Sequence, residues 1–171
     1  MRLGILSDTH NQLDRTRVAV QLLRDRGAEA LIHCGDVTTP PIIEVCGVLP
    51  LWFVFGNNDA DEVPALREAA AAHGATCLEW GGIITLQGKR VAVTHGHLRT
   101  EVRKLLAERP DYLLSGHSHI VSDSTAETVR RINSGALHRA RVYTVALLEL
   151  ESDELKSLNV PPTGFGETLS S

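Results

Sequence analysis

Short apolar runs recur along this chain, and five of them stop at residues able to ligate a metal. Asp8-Thr9-His10 follows Leu3–Leu6, Gly35-Asp36 follows Ala30–Cys34, and Gly56-Asn57-Asn58-Asp59 follows Leu51–Phe55. His95-Gly96-His97 then follows Arg90–Thr94, and Gly116-His117-Ser118-His119 follows Tyr112–Leu114. In open α/β sheets, functional groups gather beyond the carboxyl ends of the strands, so polar residues that close successive runs are expected to meet in space. The series therefore predicts one composite metal site on an α/β scaffold.

The segments between the runs fit that scaffold. Gln12 to Arg26 carries Leu13, Arg17, Val20 and Leu23 at helical spacing, with Gly27 as the stop. A segment around Ile42 to Val48 separates the second and third runs, and the alanine-rich stretch Val63–His73 predicts another helix. Three strand-then-helix units imply parallel strands joined by crossovers. After Gly74 the runs shorten and crowd together, at Thr76–Leu78, Ile83–Leu86 and Arg90–Thr94, with Gly81-Gly82 and Gln87-Gly88 as turns. These predict a hairpin-rich second sheet. A helix over Thr100–Arg109 and strands over Tyr112–Leu114, Thr128–Ile132 and Arg141–Glu149 complete a single domain spanning residues 1–160, and residues 161–171 read as a flexible tail.

Composition narrows the function classes. The 171 residues suffice for one core, and 43% hydrophobic with 22% charged residues exclude a disordered or fibrous chain. No stretch is long and apolar enough to span a bilayer, and the N-terminus runs into Arg2–Ser7 without a signal-peptide pattern, so the expected compartment is the cytoplasm, with no membrane partner. Cys34, Cys46 and Cys77 are odd in number and widely spaced in apolar surroundings, which suits buried thiols rather than a disulfide framework or zinc knuckle. The net charge of −4 argues against a long nucleic acid as partner, although Arg99, Arg103 and Lys104 could form a local basic patch or simply a solvated helix face. Self-association is left open.

The residue types at the strand ends carry the chemistry. Asp8 and His10, one residue apart, can turn a hard carboxylate and a borderline imidazole toward one divalent cation. Asp36 has two oxygens and can bridge two cations roughly 3.5–4 Å apart, although Gly-Asp by itself usually marks a turn. The Asn57 carbonyl oxygen can ligate without adding charge while its amide donates to a phosphate oxygen; for Asn58 and Asp59 a helix N-cap is the competing reading. Paired imidazoles such as His117 and His119 are seldom needed for packing.

Taken together and in order, these motifs resemble the calcineurin-like metallophosphoesterase superfamily over residues 1 to about 150, in particular its small bacterial and archaeal phosphodiesterase branch. The resemblance implies a four-layer αββα sandwich of class α/β, with two mixed sheets flanked by helices. It implies one metal on Asp8, His10 and His119, a second on Asn57, His95 and His117, and Asp36 shared between them. Mixed nitrogen and oxygen ligation favours two divalent transition-metal ions, Mn²⁺ first, with Ni²⁺, Co²⁺, Fe²⁺ or Zn²⁺ as alternatives. A water activated by the metals would attack a small phosphodiester substrate, with Asn57 stabilising the transition state.

One position departs from the wider superfamily. Where many phosphomonoesterases and protein phosphatases carry a histidine, this chain has Asn58, which has no titratable proton to give a leaving group. His97 is the candidate substitute, as catalytic proton donor and substrate contact, and Asn58 is expected to touch substrate. A phosphomonoesterase, a nuclease, and a protein-binding scaffold like the retromer subunit of the same fold are the alternatives; retention of all seven ligand positions favours the enzyme.

The other histidines and tryptophans read blandly. His33 suits a hydrogen-bonded core or strand-end role, His73 a helix C-terminus and Trp52 a strand core, while Trp80 is uninformative. His138 follows a turn, Asn133-Ser134-Gly135-Ala136, resembling the family's loop near the metals. Specificity is expected from loops at Asn11–Asp14, Pro40–Ile43, Asp59–Val63 and Leu98–Arg103.

Overall fold

The computed structural model describes residues 1–163. In chain order its elements are β1 (Arg2–Leu6), α1 (Leu13–Asp25), β2 (Ala30–His33), α2 (Pro40–Cys46), β3 (Leu51–Phe53), a 3-10 turn (Ala60–Glu62), α3 (Val63–His73), β4 (Thr76–Cys77), β5 (Gly81–Leu86), β6 (Lys89–Thr94), α4 (Arg99–Ala107), β7 (Tyr112–Ser115), β8 (Ser122–Ala126), β9 (Val129–Asn133), β10 (Thr144–Glu149) and β11 (Glu154–Asn159). They build a six-stranded sheet ordered β11-β10-β1-β2-β3-β4 and a five-stranded sheet ordered β5-β6-β7-β9-β8.

Side-chain alternation explains why these sheets stack in layers. On β1, Leu3 and Ile5 face one core and Leu6 another; on β2, Ala30 and Ile32 join the first group and Leu31 the second. The same alternation on β6 sends Val91 and Val93 inward and Ala92 outward, and on β7 it separates Leu114 from Leu113. A strand hydrophobic on both faces must be covered on both. Between the two sheets lies the core of Leu3, Ile5, Ile32, Val91, Val93, Leu114, Ile132 and Leu148. The outer face of the first sheet packs on Val20 and Leu23 of α1, Ile42 and Ile43 of α2 and Leu66 of α3. Leu105 of α4 covers the outer face of the second sheet with Ala92, Leu113 and Val129. The result is the expected αββα sandwich.

Strand direction fixes where the motifs go. β1, β2, β3 and β4 are parallel neighbours in the first sheet, as are β6, β7 and β9 in the second. The second sheet is thus hairpin-built only at its margins, β5 with β6 and β8 with β9, and parallel through its centre. Thr76–Cys77, read from its texture as part of that second sheet, instead pairs with β3 in the first. Two strands escaped the sequence pattern. β8 is almost wholly exposed and polar, and β11 buries only Leu158, so neither shows an apolar run; backbone pairing to β9 and β10 makes them strands. The run Arg141–Glu149 becomes strand only at Thr144, and Pro40–Ile43 begins α2 with Ile42 and Ile43 buried rather than forming a specificity loop. The proposed tail lies largely outside the described residues. No helix among those described is long and apolar enough to cross a membrane.

Candidate metal centre

Because both sheets carry parallel strands with their carboxyl ends on one side, all five motifs emerge along one edge of the sandwich. The turns that follow the strands are tight. Asp8, His10, Asp36, His117 and His119 have φ of 54°, 41°, 56°, 65° and 58°, the left-handed region that side chains with a Cβ rarely occupy. Such residues cost on the order of 1 kcal/mol each and persist only when their surroundings over-determine them. Here the turns are laced together: Asp8 N–H donates to Gly35 O at 3.0 Å, His10 N–H to Asp36 O at 3.1 Å, and Gly116 N–H to His95 O at 3.1 Å.

The glycines of three motifs make room for functional side chains. A Cβ on Gly35 would stand 2.8 Å from His95 Nδ1, one on Gly56 would stand 2.1 Å from Asp36 Oδ1, and one on Gly116 would stand 1.9 Å from Ser7 Oγ and 2.7 Å from Asp8 Oδ2. Gly35 belongs to the first sheet and His95 to the second, and Gly116 reverses that relation with Asp8. Each sheet is hollowed where the other inserts.

Each carboxylate is held by one set of donors and left open to another. Asp8 is fully buried. Its Oδ2 accepts from Ser7 Oγ at 2.6 Å and from His117 N–H at 3.1 Å, whereas Oδ1 is buried with no hydrogen-bond partner and stands 3.0 Å from His119 Nε2. Asp36 Oδ1 accepts from Asn58 N–H at 2.9 Å. Its Oδ2 accepts from Asn58 Nδ2 at 2.7 Å and lies 3.2 Å from His10 Nε2 and 3.4 Å from His95 Nε2. Burial alone would raise the Asp36 pKa, but the nearby His10 and His95 imidazoles and the Asn58 backbone N–H outweigh it and hold the group well below the usual carboxylate range.

The imidazoles are oriented to match. His95 is buried, and its Nδ1 is 2.8 Å from Cys34 O, an acceptor only, so Nδ1 carries the proton and Nε2 offers its lone pair to the site. Burial disfavours charge on His95, yet Asp36 and Asp8 more than offset it and raise its pKa. Asn57 Oδ1 lies 3.1 Å from the same Nε2. His117 packs its ring 5.1 Å from that of His95. Two ligand sets have their donor atoms within 4.8 Å of one another: Asp8, His10 and His119, and Asp8, Asp36 and His95. Asp8 is common to both, and Asp36 Oδ2 touches one histidine of each. His117 lies outside these two sets, on the His95 side.

The arrangement fits divalent cations on its own chemistry. Asp8 Oδ1 and His10 Nε2 are buried polar atoms without partners, and a native fold rarely leaves such atoms unpaired unless something else satisfies them. The donors mix carboxylate, amide oxygen and imidazole, a shell suited to transition metals.

Several residues outside the candidate ligands hold this centre in place. Asn58, expected at the substrate, spends both its backbone N–H and its amide on Asp36. Asp59 does not cap the 3-10 turn with its side chain. Its buried carboxylate instead accepts from Thr38 N–H and Gly56 N–H, both at 2.7 Å, tying the second and third strand ends together, and burial raises its pKa despite those bonds. Asn133 Nδ2 donates to Gly116 O at 2.7 Å and to Ser118 Oγ at 3.1 Å, bracing the turn that carries His117 and His119. His33 is buried as expected; Nδ1 accepts from Gly35 N–H, so its Nε2–H faces Thr9 Oγ1 at 3.1 Å, and burial, with His95 next, lowers its pKa to about 3. Cys34 and Cys46 are buried thiols, while Cys77 is only half-buried.

The two rims of the centre differ. On one, His97 lies 5.3 Å from His95 and 5.9 Å from Trp80 between ring centroids, with Nδ1 buried and unpartnered. Burial, then His95 and His117, lowers its pKa. Trp80, uninformative in sequence, is thus a wall of the site. On the other rim the His138 ring lies 4.7 Å from that of His10.

The calcineurin-like phosphoesterase superfamily domain matches residues 1–153, and the chain belongs to that family of metallophosphoesterases. The chain is similar to the phosphodiesterase MJ0936 of Methanocaldococcus jannaschii, 24% identical over 163 residues, covering 92% of this chain and 98% of that one. A solved archaeal phosphodiesterase superposes with a TM-score of 0.84 at 25% identity, over 93% of this chain and 99% of the other. Vps29 of Entamoeba histolytica in complex with Zn²⁺ shares the fold, with a TM-score of 0.61 at 14% identity over 94% and 100% of the two chains.

Proposed function

We propose that this protein is a binuclear metal-dependent phosphodiesterase. The observation that carries the reading is Asp36 Oδ2, 3.2 Å from His10 Nε2 of one candidate ligand set and 3.4 Å from His95 Nε2 of the other, beside the buried Asp8 Oδ1 that has no hydrogen-bond partner. Asp8, His10 and His119 would hold one ion and Asn57, His95 and His117 the other, with Asp36 between them. When bound, two such ions, Mn²⁺ first among the candidates, supply a water-derived nucleophile at neutral pH and draw charge from the phosphoryl oxygens.

The chain's own residues would do the rest. Asn57 is exposed, and its Oδ1 lies 3.1 Å from His95 Nε2, so its carbonyl oxygen would serve as a ligand while its amide would donate to a phosphoryl oxygen. Asn58 fixes Asp36 rather than donating a proton, so leaving groups that depart without protonation should react best. His97, neutral at pH 7 on the direction of its pKa, would orient the leaving group by a hydrogen bond more readily than it would protonate it. The name of the archaeal relative supports a diester as substrate.

Metal stoichiometry and hydrolysis of matched phosphodiesters and phosphomonoesters with Mn²⁺, Ni²⁺, Co²⁺ and Zn²⁺ test the proposal. Two ions per chain and faster diester cleavage are expected. Faster monoester cleavage would make the protein a phosphomonoesterase. Substoichiometric binding without hydrolysis in any metal would sink the enzymatic reading and favour a scaffold. An aryl and an alkyl diester compared in wild type and His97→Ala isolate His97: unchanged relative rates remove it from leaving-group chemistry.

A further inference from the structure

Both sheets end in open strands, and their edges are not defended alike. β4 is only two residues long, β8 carries Asp123, and β11 carries Glu154 and Lys156. β5, at the edge of the second sheet, runs for six residues, Gly81-Gly82-Ile83-Ile84-Thr85-Leu86, with neither charge nor proline. Soluble proteins blunt long apolar edges with charge, proline, brevity or a covering element, because an unpaired edge is a template for another strand. Ile83 packs on the outer cluster with Val102 and Leu106 of α4, and Ile84 and Leu86 pack on the core between the sheets, yet all three stay partly exposed.

The hydrogen-bond pattern shows which groups of this edge are unused. Gln87 and Gly88 both have positive φ, 48° and 77°, as a type I′ turn requires, and such a turn makes Leu86 and Lys89 a hydrogen-bonded pair. Alternation then bonds Ile84 to Val91 and Gly82 to Val93. Arg90 agrees, since its carbonyl points to the far side of β6 and accepts from Asp111 N–H at 2.9 Å. The N–H and C=O of Ile83 and Thr85 therefore point away from β6, and no other backbone group among the described residues bonds them.

We propose that β5 is a homodimer edge, pairing antiparallel with β5 of a second copy so that the two second sheets become one. A two-fold axis at Ile83 would join Ile83 N–H to Ile83 O in both directions and Thr85 N–H to Gly81 O. It would set Ile83 against itself on one face and Gly82 opposite Ile84 on the other, a small residue facing a large one. No like charges meet along the strand. Glu79 just before it and Lys89 just after its turn sit at opposite ends, so the antiparallel arrangement brings each acidic end to the other copy's basic end. A contact of this symmetry consumes both edges and closes, so it does not propagate into a filament. The proposal is independent of the chemistry at the metal centre.

Sedimentation of the full chain, combined with hydrogen exchange, tests it. Wild type is expected to reach twice the chain mass by about 100 µM. The Ile83 and Thr85 amides should then exchange about 10-fold or more slowly than unprotected amides. Thr85 is exposed, and Thr85→Pro removes an N–H that the fold does not use, so that variant should keep its circular dichroism and lose the dimer. Thr85→Val retains the N–H and should keep the dimer. A wild-type chain that stays monomeric at that concentration would overturn the proposal, as would a dimer whose Ile83 and Thr85 amides exchange at unprotected rates. A folded Thr85→Pro that dimerises like wild type would do the same; if that variant does not fold, the wild-type mass and exchange rates decide alone.

Discussion

The two sheets are joined at both ends of the sandwich, and the two joints are built on opposite rules. At the carboxyl ends of the strands, Asp8 and Asp36 of the first sheet meet His95 and His119 of the second through left-handed turns and orphaned buried atoms. At the other end, Arg130 of β9 reaches Asp123 of β8 by two bonds of 2.9 and 2.7 Å and Asp153 of the β10–β11 turn at 2.7 Å, where Tyr112 O–H also donates. That second joint is fully satisfied. Its partners lower the pKa of Asp123 and Asp153, Arg130 leading for the first and Tyr112 for the second. A joint that serves only the fold can close on itself, whereas one that awaits a ligand has to stay incomplete.

The sharpest way to break the contrast is to remove one residue from each end. Asp36→Ala should lower turnover by more than the roughly 100-fold that outer ligand supports typically cost, while Arg130→Met should leave turnover nearly unchanged; similar losses in the two variants would dissolve the distinction. Asn58→Ala and Asn133→Ala each remove a brace and not a proposed ligand, so metal affinity measured by competition with a chelator should weaken by about 10- to 100-fold. Completing the open joint should also stabilise the fold. Mn²⁺ at about 100 times its dissociation constant is expected to add about 2.7 kcal/mol per site and raise Tm by several degrees, a gain that Asp8→Asn loses and Arg130→Met keeps.

The closed joint gives the smallest effect, read against pH. Both aspartates have depressed native pKa values, so their stabilising contribution is complete above the ordinary carboxylate value of 3.8 and is lost as pH falls through the lower native values. The stability difference between wild type and Arg130→Met, about 1 kcal/mol for partly exposed pairs, should therefore be constant from pH 7 to 5 and shrink only below about pH 4. Urea titrations at several pH values would show it, and a difference that grew on acidification would reverse the sign.

How much of this was legible in the chain follows from where hydrophobicity speaks. Runs such as Leu3–Leu6 and Ala30–Cys34 announce buried strands because both faces are covered, and the residues that end them announce the site because parallel strands share an edge. Val63–His73 was readable to the residue, closing on Gly74 at φ 65°. β8 and β11 were silent, since pairing rather than burial defines them. The parallel centre of the second sheet was silent too, because pairing between Val91–Val93 and Tyr112–Leu114 leaves no local trace. Within the site the candidate ligands stood out and their supports did not. Ser7, Asp59 and Asn133 are ordinary turn residues in sequence, and their roles arise from partners brought close only by folding, Ser7 with Cys34 27 positions on, Asp59 with Thr38 21 positions back and Asn133 with Gly116 17 positions back.

The hollowed glycines offer a diagnostic that reaches beyond this molecule. Gly56 and Gly116 record, as missing volume, the space that Asp36, Ser7 and Asp8 occupy. A chain of the same fold that abandons its ions no longer needs those imprints, and ordinary drift would be free to fill them with alanine, serine or larger residues. Occupancy at these two positions should then separate working centres from retired ones, even where most of the ligands themselves survive.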